Sequence, residues 1–128
     1  MKQLVEYFHE SSNEDFDIML DLHKNKRFTY ALFFGHLCLE KLLKSLYVKQ
    51  NKDNPPQIHS LVKLALKCNL TFDDKRAEQL SVISTFCVEA RYGDVKKEFY
   101  KLCTNDFTNR QIEIIKELRK WLKEKLTK

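Results

Sequence analysis

The residues best suited to chemistry in this chain stand on one stripe: His36, Glu40 and Lys44 recur every four positions, with Lys41 beside them. On a helix that spacing stacks side chains one above another, so an imidazole, a carboxylate and two ammonium groups would share a face. Two ammonium groups and an imidazole could hold a phosphate, with the carboxylate to orient them. The plainer reading is an ion-pair face exposed to water, since Glu40 ahead of Lys44 is the favourable order for an intrahelical pair. A second group, Arg91-Tyr92-Gly93-Asp94, could offer a guanidinium to phosphate, a ring to stack on a base and a carboxylate to fix the arginine. Its plainer reading is an arginine that complements a helix C-terminus beside a glycine cap. His59, next to Pro55-Pro56, either starts a helix or joins the same groove as the stripe.

Other groups point away from catalysis. Asp15 and Asp17 have the spacing of a metal-binding carboxylate pair, but on a helix they lie roughly 200° apart, so no metal is expected there. His9 and His23 have no matching ligand or nucleophile at a recognisable distance in sequence and are expected on helix surfaces. There is no Gly-x-Ser-x-Gly, no phosphate-binding Gly-rich loop and no dinucleotide fingerprint, so neither a catalytic residue nor a cofactor is expected. Cys38, Cys68, Cys87 and Cys103 are widely spaced without a Cys-x-x-Cys, which reads as reduced thiols on helix faces. The net charge of +5 does not by itself indicate nucleic acid, because both signs are interleaved along the chain. Even the C-terminal stretch with Arg110, Lys116, Arg119, Lys120, Lys123, Lys125 and Lys128, set against Glu113, Glu117 and Glu124, reads first as a solvated face.

The element that must position the stripe is a helix over residues 28–50. Phe28, Leu32, Gly35, Leu39, Leu42 and Leu46 recur at steps of four and three, and Ala31, Phe34, Cys38 and Leu43 widen the apolar arc. Such an arc needs helices on several sides. Gly35 in its middle costs about 1 kcal/mol relative to Ala, which predicts a close crossing there.

Two glycines and two prolines in 128 residues, with 43% hydrophobic residues, predict one domain over 1–128 built of long helices. A first helix is expected from about Gln3 to Asn25, with a weak point at Ser12, where Ser11 to Glu14 has the form of a capping box. Asn25 to Arg27 then make a short turn to an antiparallel neighbour. Pro55-Pro56 breaks the chain, a short third helix starts near Ile58 to Ser60 and ends at Asn69, and a fourth begins at Asp73-Asp74. That fourth helix is expected to stop at Tyr92-Gly93, with the glycine in the left-handed closing position. Residues 94–106 carry only a weak period in Val95, Phe99 and Leu102, enough for a helical turn or two. The last helix is expected to open on a capping box at Thr108 to Gln111, stapled by Phe107 and Ile112. The fold class is all-α: an antiparallel up-and-down bundle of four long helices plus one or two short ones. No apolar run is long enough for a membrane span, and the polar N-terminus is unlike a signal peptide, so the expected place is the cytoplasm.

Three pieces in this order resemble the HEPN family, the higher eukaryotes and prokaryotes nucleotide-binding domain: residues 33–44 (FFGHLCLEKLLK), 56–61 (PQIHSL) and 89–94 (EARYGD). The resemblance implies a helical bundle that commonly dimerises, and often a small nucleotidyltransferase protein as partner. It implies a nucleotide or RNA as ligand. Ribonuclease members of that family are similar in one motif, an arginine followed after four to six residues by a histidine. Counting from Arg91, those positions hold Lys96, Lys97 and Glu98. A lysine ordinarily titrates near 10.4, too high to replace a histidine in proton transfer at neutral pH. The chain thus resembles the non-nuclease branch, a binding module for a nucleotide, a nucleic acid or a nucleotidyltransferase partner. A toxin-type, metal-independent ribonuclease acting at a dimer interface and a structural partner subunit are the alternatives.

Overall fold

A computed structural model describes residues 1–89 and 93–128, without the side chains of 88, 89, 94 and 95. Among these residues the chain forms α1 (Lys2–Lys24), α2 (Phe28–Asn51), α3 (Leu61–Lys67), α4 (Asp74–Glu89), α5 (Gly93–Leu102) and α6 (Asn105–Leu126), and no strand. Four helices are long and two are short, as the pattern of apolar residues predicts.

α2 is the axis of the bundle. It packs on α1 and α6 most extensively and also on α3, α4 and α5. Ala31, Leu32, Cys38, Leu39 and Leu43 are fully enclosed, and Leu42 and Leu46 nearly so. A fully buried leucine contributes about 1.5–3 kcal/mol, so this one helix anchors much of the core. Gly35 is where the crossing is tightest: a Cβ built there would lie 2.6 Å from Ile115 Cδ1 of α6 and 3.0 Å from Met19 Sδ of α1. Two helices thus approach α2 closely at the residue that lacks a side chain.

The turns follow from local chemistry. Lys26, at φ 59°, closes α1: its N–H bonds the His23 carbonyl and that of Arg27 bonds the Leu22 carbonyl. Asn69, at φ 58°, closes α3 in the same way through Ala65 and Leu66. Ser60 caps the start of α3 by accepting from the Lys63 N–H at 3.2 Å, and Asp73 caps α4 by accepting from Arg76 at 2.8 Å. α1 runs unbroken through Ser12: the Ser11 hydroxyl, which a capping box would turn to the Glu14 N–H, accepts from Lys41 at 2.8 Å, and the fully buried Ser12 donates to the His9 carbonyl at 2.7 Å.

Three expectations fail. Gly93 does not close α4 in a left-handed conformation; no described glycine has a positive φ, and Gly93 instead opens α5. α5 runs for ten residues, beyond the turn or two expected, because Phe99 is buried against Phe86 with ring centroids 5.3 Å apart. Tertiary packing holds a helix that its own sequence signals weakly. α6 starts a turn earlier than the Thr108–Gln111 box: Thr104 accepts from the Phe107 N–H at 3.2 Å, while Thr108 is buried inside the helix. Thr104 has Phe107, not Glu or Gln, three positions on, so it makes only half of a capping box and lacks that signature.

The Gly35 crossing yields a double-mutant prediction. Gly35→Ala gains about 1 kcal/mol of helix propensity but forces Ile115 and Met19, both fully buried, out of place at roughly 1–3 kcal/mol. Chemical denaturation should show a net loss in the wild-type background and a smaller one, by about 1 kcal/mol, once Ile115→Val removes the clashing methyl. Equal losses in the two backgrounds would disprove the contact.

Candidate functional site

His36, Glu40 and Lys44 share a face of α2, but that face is not bathed in water. His36 is fully buried and Glu40 is 5% exposed. The Pro-Pro connection folds over them, and the long polar side chains meet there. The Glu40 carboxylate accepts from Lys44 Nζ at 3.0 Å through Oε2 and from His59 Nδ1 at 2.9 Å through Oε1. His36 Nε2 lies 3.7 Å from the same Oε1 and donates to the His59 carbonyl at 3.1 Å, which fixes the proton on that nitrogen. One carboxylate therefore gathers two cationic or cation-forming side chains and ties the loop before α3 to the bundle axis.

Just after His59, the Leu61 N–H, an orphan donor of the first turn of α3, bonds Ser84 Oγ of α4 at 2.9 Å, and Ser84 in turn donates to the Leu80 carbonyl. The cluster and the middle of α4 are thus joined through two residues. Burial alone would raise the Glu40 pKa. The hydrogen bonds from His59 and Lys44, with the charges of His36 and Lys44, outweigh burial and hold the carboxyl below its usual range.

Lys41 does not belong to this cluster. Its ammonium turns to α1, pairing with Asp15 at 2.7 Å and donating to Ser11 Oγ at 2.8 Å. Burial raises the Asp15 carboxyl even against that lysine. Asp17 is exposed, so the two aspartates face apart, as their spacing requires. Arg91 and Tyr92 lie outside the described residues, and so does the side chain of Asp94, whose backbone is in the first turn of α5.

Two features escape a reading of the sequence. Tyr30 of α2 and Lys96 of α5 meet at the surface, hydroxyl to ammonium at 3.1 Å, and this bond holds the phenol below its usual pKa. On α1, Asn13 Oδ1 accepts from both Arg119 and Lys123 of α6, each at 3.1 Å. No local pattern announces either pair, because the partners are 66, 106 and 110 positions apart. None of the four cysteines is in a disulfide, and burial raises the thiols of Cys38 and Cys68 to about 12, far from the reactive thiolate range.

A family model described as the HEPN domain matches residues 5–126. No curated protein matches this sequence. The crystal structure of TT1696 from Thermus thermophilus superposes with a TM-score of 0.78 at 14% identity, over 94% of this chain and 97% of that one. The likeness is one of fold.

Because the Glu40 carboxyl is held below its ordinary pKa, its contribution to stability is present above the unfolded carboxylate range and fades as pH falls through the folded value. Glu40→Gln should cost about 2 kcal/mol at pH 7, since the amide carries no charge and keeps only one of the two oxygens that accept from Lys44 and His59. Denaturation midpoints of the two proteins should converge below about pH 4, where wild-type Glu40 also loses its charge. A gap that stays constant from pH 7 to 3 would refute the ionic role of Glu40.

Proposed function

The chain belongs to the HEPN domain family, a family of nucleotide-binding or RNA-related modules whose members often form dimers, and from that premise we propose that it is a binding module without catalysis of its own. Its ligand in this reading is a nucleotide or a nucleic-acid end, and it works in the cytoplasm as a homodimer, on its own or docked to a small nucleotidyltransferase protein. The observation that carries the reading is the commitment of the candidate proton-transfer groups to structure. Glu40 is kept ionised at neutral pH by Lys44 and His59, and the Nε2–H of buried His36 is spent on a backbone carbonyl. An acid pinned in its charged form is a poor proton donor near pH 7. The absence of histidine at positions 96–98, after Arg91, supports the same side of the choice.

Within this reading Lys44, His59, Arg91, Tyr92 and Asp94 line the ligand, and Glu40 is the group that aims the first two. Lys41 supports the site indirectly, through its pair with Asp15. Tyr30, Tyr100 and Leu102 are exposed apolar groups suited to a second copy or a protein partner. No helix among the described residues is long and apolar enough to cross a membrane.

Calorimetric titration with ATP, AMP and a short oligouridylate tests the proposal. Arg91→Ala and Lys44→Ala should each weaken binding tenfold or more, with melting curves confirming that the variants fold; unchanged heats would remove both residues from the site. In a parallel assay with EDTA, single-stranded RNA should stay intact. Cleavage that vanishes in His36→Ala or His59→Ala would establish the ribonuclease alternative.

A further inference from the structure

The seam between α1 and α6 collects positive charge and gives it little to pair with. Arg119 Nη2 and Lys123 Nζ both reach across to one neutral acceptor, Asn13 Oδ1, at 3.1 Å each. The Arg119 guanidinium carbon lies 3.8 Å from the centroid of the Phe16 ring, which orients the group without neutralising it. His9, one turn before Asn13, stands on the same face of α1. Along α6, Lys116, Arg119, Lys120 and Lys123 line an open cleft of about 450 Å³ with Glu124 and Thr127.

The charge is not compensated locally. Lys116 pairs with Glu113 at 3.1 Å, but among the described residues Arg119, Lys120 and Lys123 form no ion pair. Glu124 borders the cleft without reaching them. Two effects of the crowding are visible. Burial, then the charge of Arg119, pushes the Lys123 ammonium below its usual pKa. Burial, then Lys123 and Arg119, does the same to His9, against a small opposing effect of Glu10. An exposed lysine on a solvated face shows neither, and a helix stabilised by its surface charges would set carboxylates at these places.

We infer that the α1/α6 seam is an anion site that takes a phosphate group, free or in the backbone of single-stranded RNA, with Arg119 as the fork and Lys120 and Lys123 flanking it. Arginine presents parallel N–H donors that match two phosphate oxygens, and lysine supplies the compact charge beside it. This goes beyond the binding reading above: the residues lie on other helix faces and owe nothing to the Glu40 cluster.

The test uses Asn13→Asp in the full chain. A carboxylate at that position accepts from Arg119 and Lys123 where the amide does now, and so fills the site from within. The unaltered chain should bind a fluorescent ten-nucleotide oligouridylate with an affinity that falls with salt at a log–log slope of about −2, as expected for some three neutralised phosphates. Asn13→Asp should lose tenfold or more of that affinity, flatten the slope, and raise the melting temperature by about 2–5 °C, because ion pairs replace hydrogen bonds from two cations to a neutral amide. Lys67→Gln, with the same change in net charge at an exposed position of α3, controls for general electrostatics and should change affinity less than twofold. Inorganic phosphate, followed by NMR shifts of the Asn13 side-chain amide, separates the two sources. Shifts without RNA binding assign the site to free phosphate, and RNA binding with the stated slope assigns it to a backbone. The proposal is overturned if neither probe binds, if Asn13→Asp binds as the unaltered chain does, or if its melting temperature falls. Loss of nucleotide binding in Lys44→Ala or Arg91→Ala bears only on the other site.

Discussion

A carboxylate placed in the middle of an enclosed helix sets the terms for everything around it. Glu40 sits on α2, which has helices on most of its sides, and a buried charge that is not answered within hydrogen-bond reach costs several kcal/mol. The answer comes partly from one turn along the same helix, Lys44, and partly from outside it, His59. Recruiting His59 fixes the path of the Pro-Pro connection, and with it the start of α3 and the contact of that start with Ser84 of α4. The acid thus adds a polar tie to a loop that Ile58 also packs against the core.

The three polar seams on the helix bundle differ in how completely their charges are answered within the protein. At the Glu40 cluster one negative group meets lysine and histidine, and the charges close on themselves. At the α1/α2 seam Asp15 meets Lys41, again acid with base, with Ser11 completing the lysine and Ser45 donating to the Val5 carbonyl nearby. At the α1/α6 seam two cations meet an amide. In a closed network each charge already has its counter-charge, whereas like charges held over a neutral acceptor are stabilised by any anion that arrives.

The same contrast explains why the candidate stripe splits. Lys41 is one residue from Glu40, which on a helix turns it through about 100° and aims it at α1 instead of α3. Adjacent positions in sequence thereby serve different interfaces. The aromatic residues behave alike: Phe86 takes both Phe99 and Phe107 at 5.3 and 6.1 Å, so the weakly patterned α5 and the start of α6 are brought to one ring in the core.

The spacing of apolar residues by itself determined that the chain is helical and that α2 lies at the centre, because helical periodicity is a local property written every three or four positions, and the prolines and Asp73-Asp74 marked where α3 and α4 begin. Gly35 belongs with these, since a glycine in a leucine-rich helix has few reasons other than a close crossing. What only the tertiary structure decided is which charged residues face each other. The stripe at 36, 40 and 44 was legible as a stripe, but its closure by His59 depends on a loop path, and the meeting of Asn13 with Arg119 and Lys123 joins helices at opposite ends of the chain. The extent of α5 and the cap of α6 were settled in the same way, by contacts with Phe86 and by a lone threonine. Side-chain electrostatics acts over a few ångströms in space whatever the separation along the chain, and a sequence records only the latter.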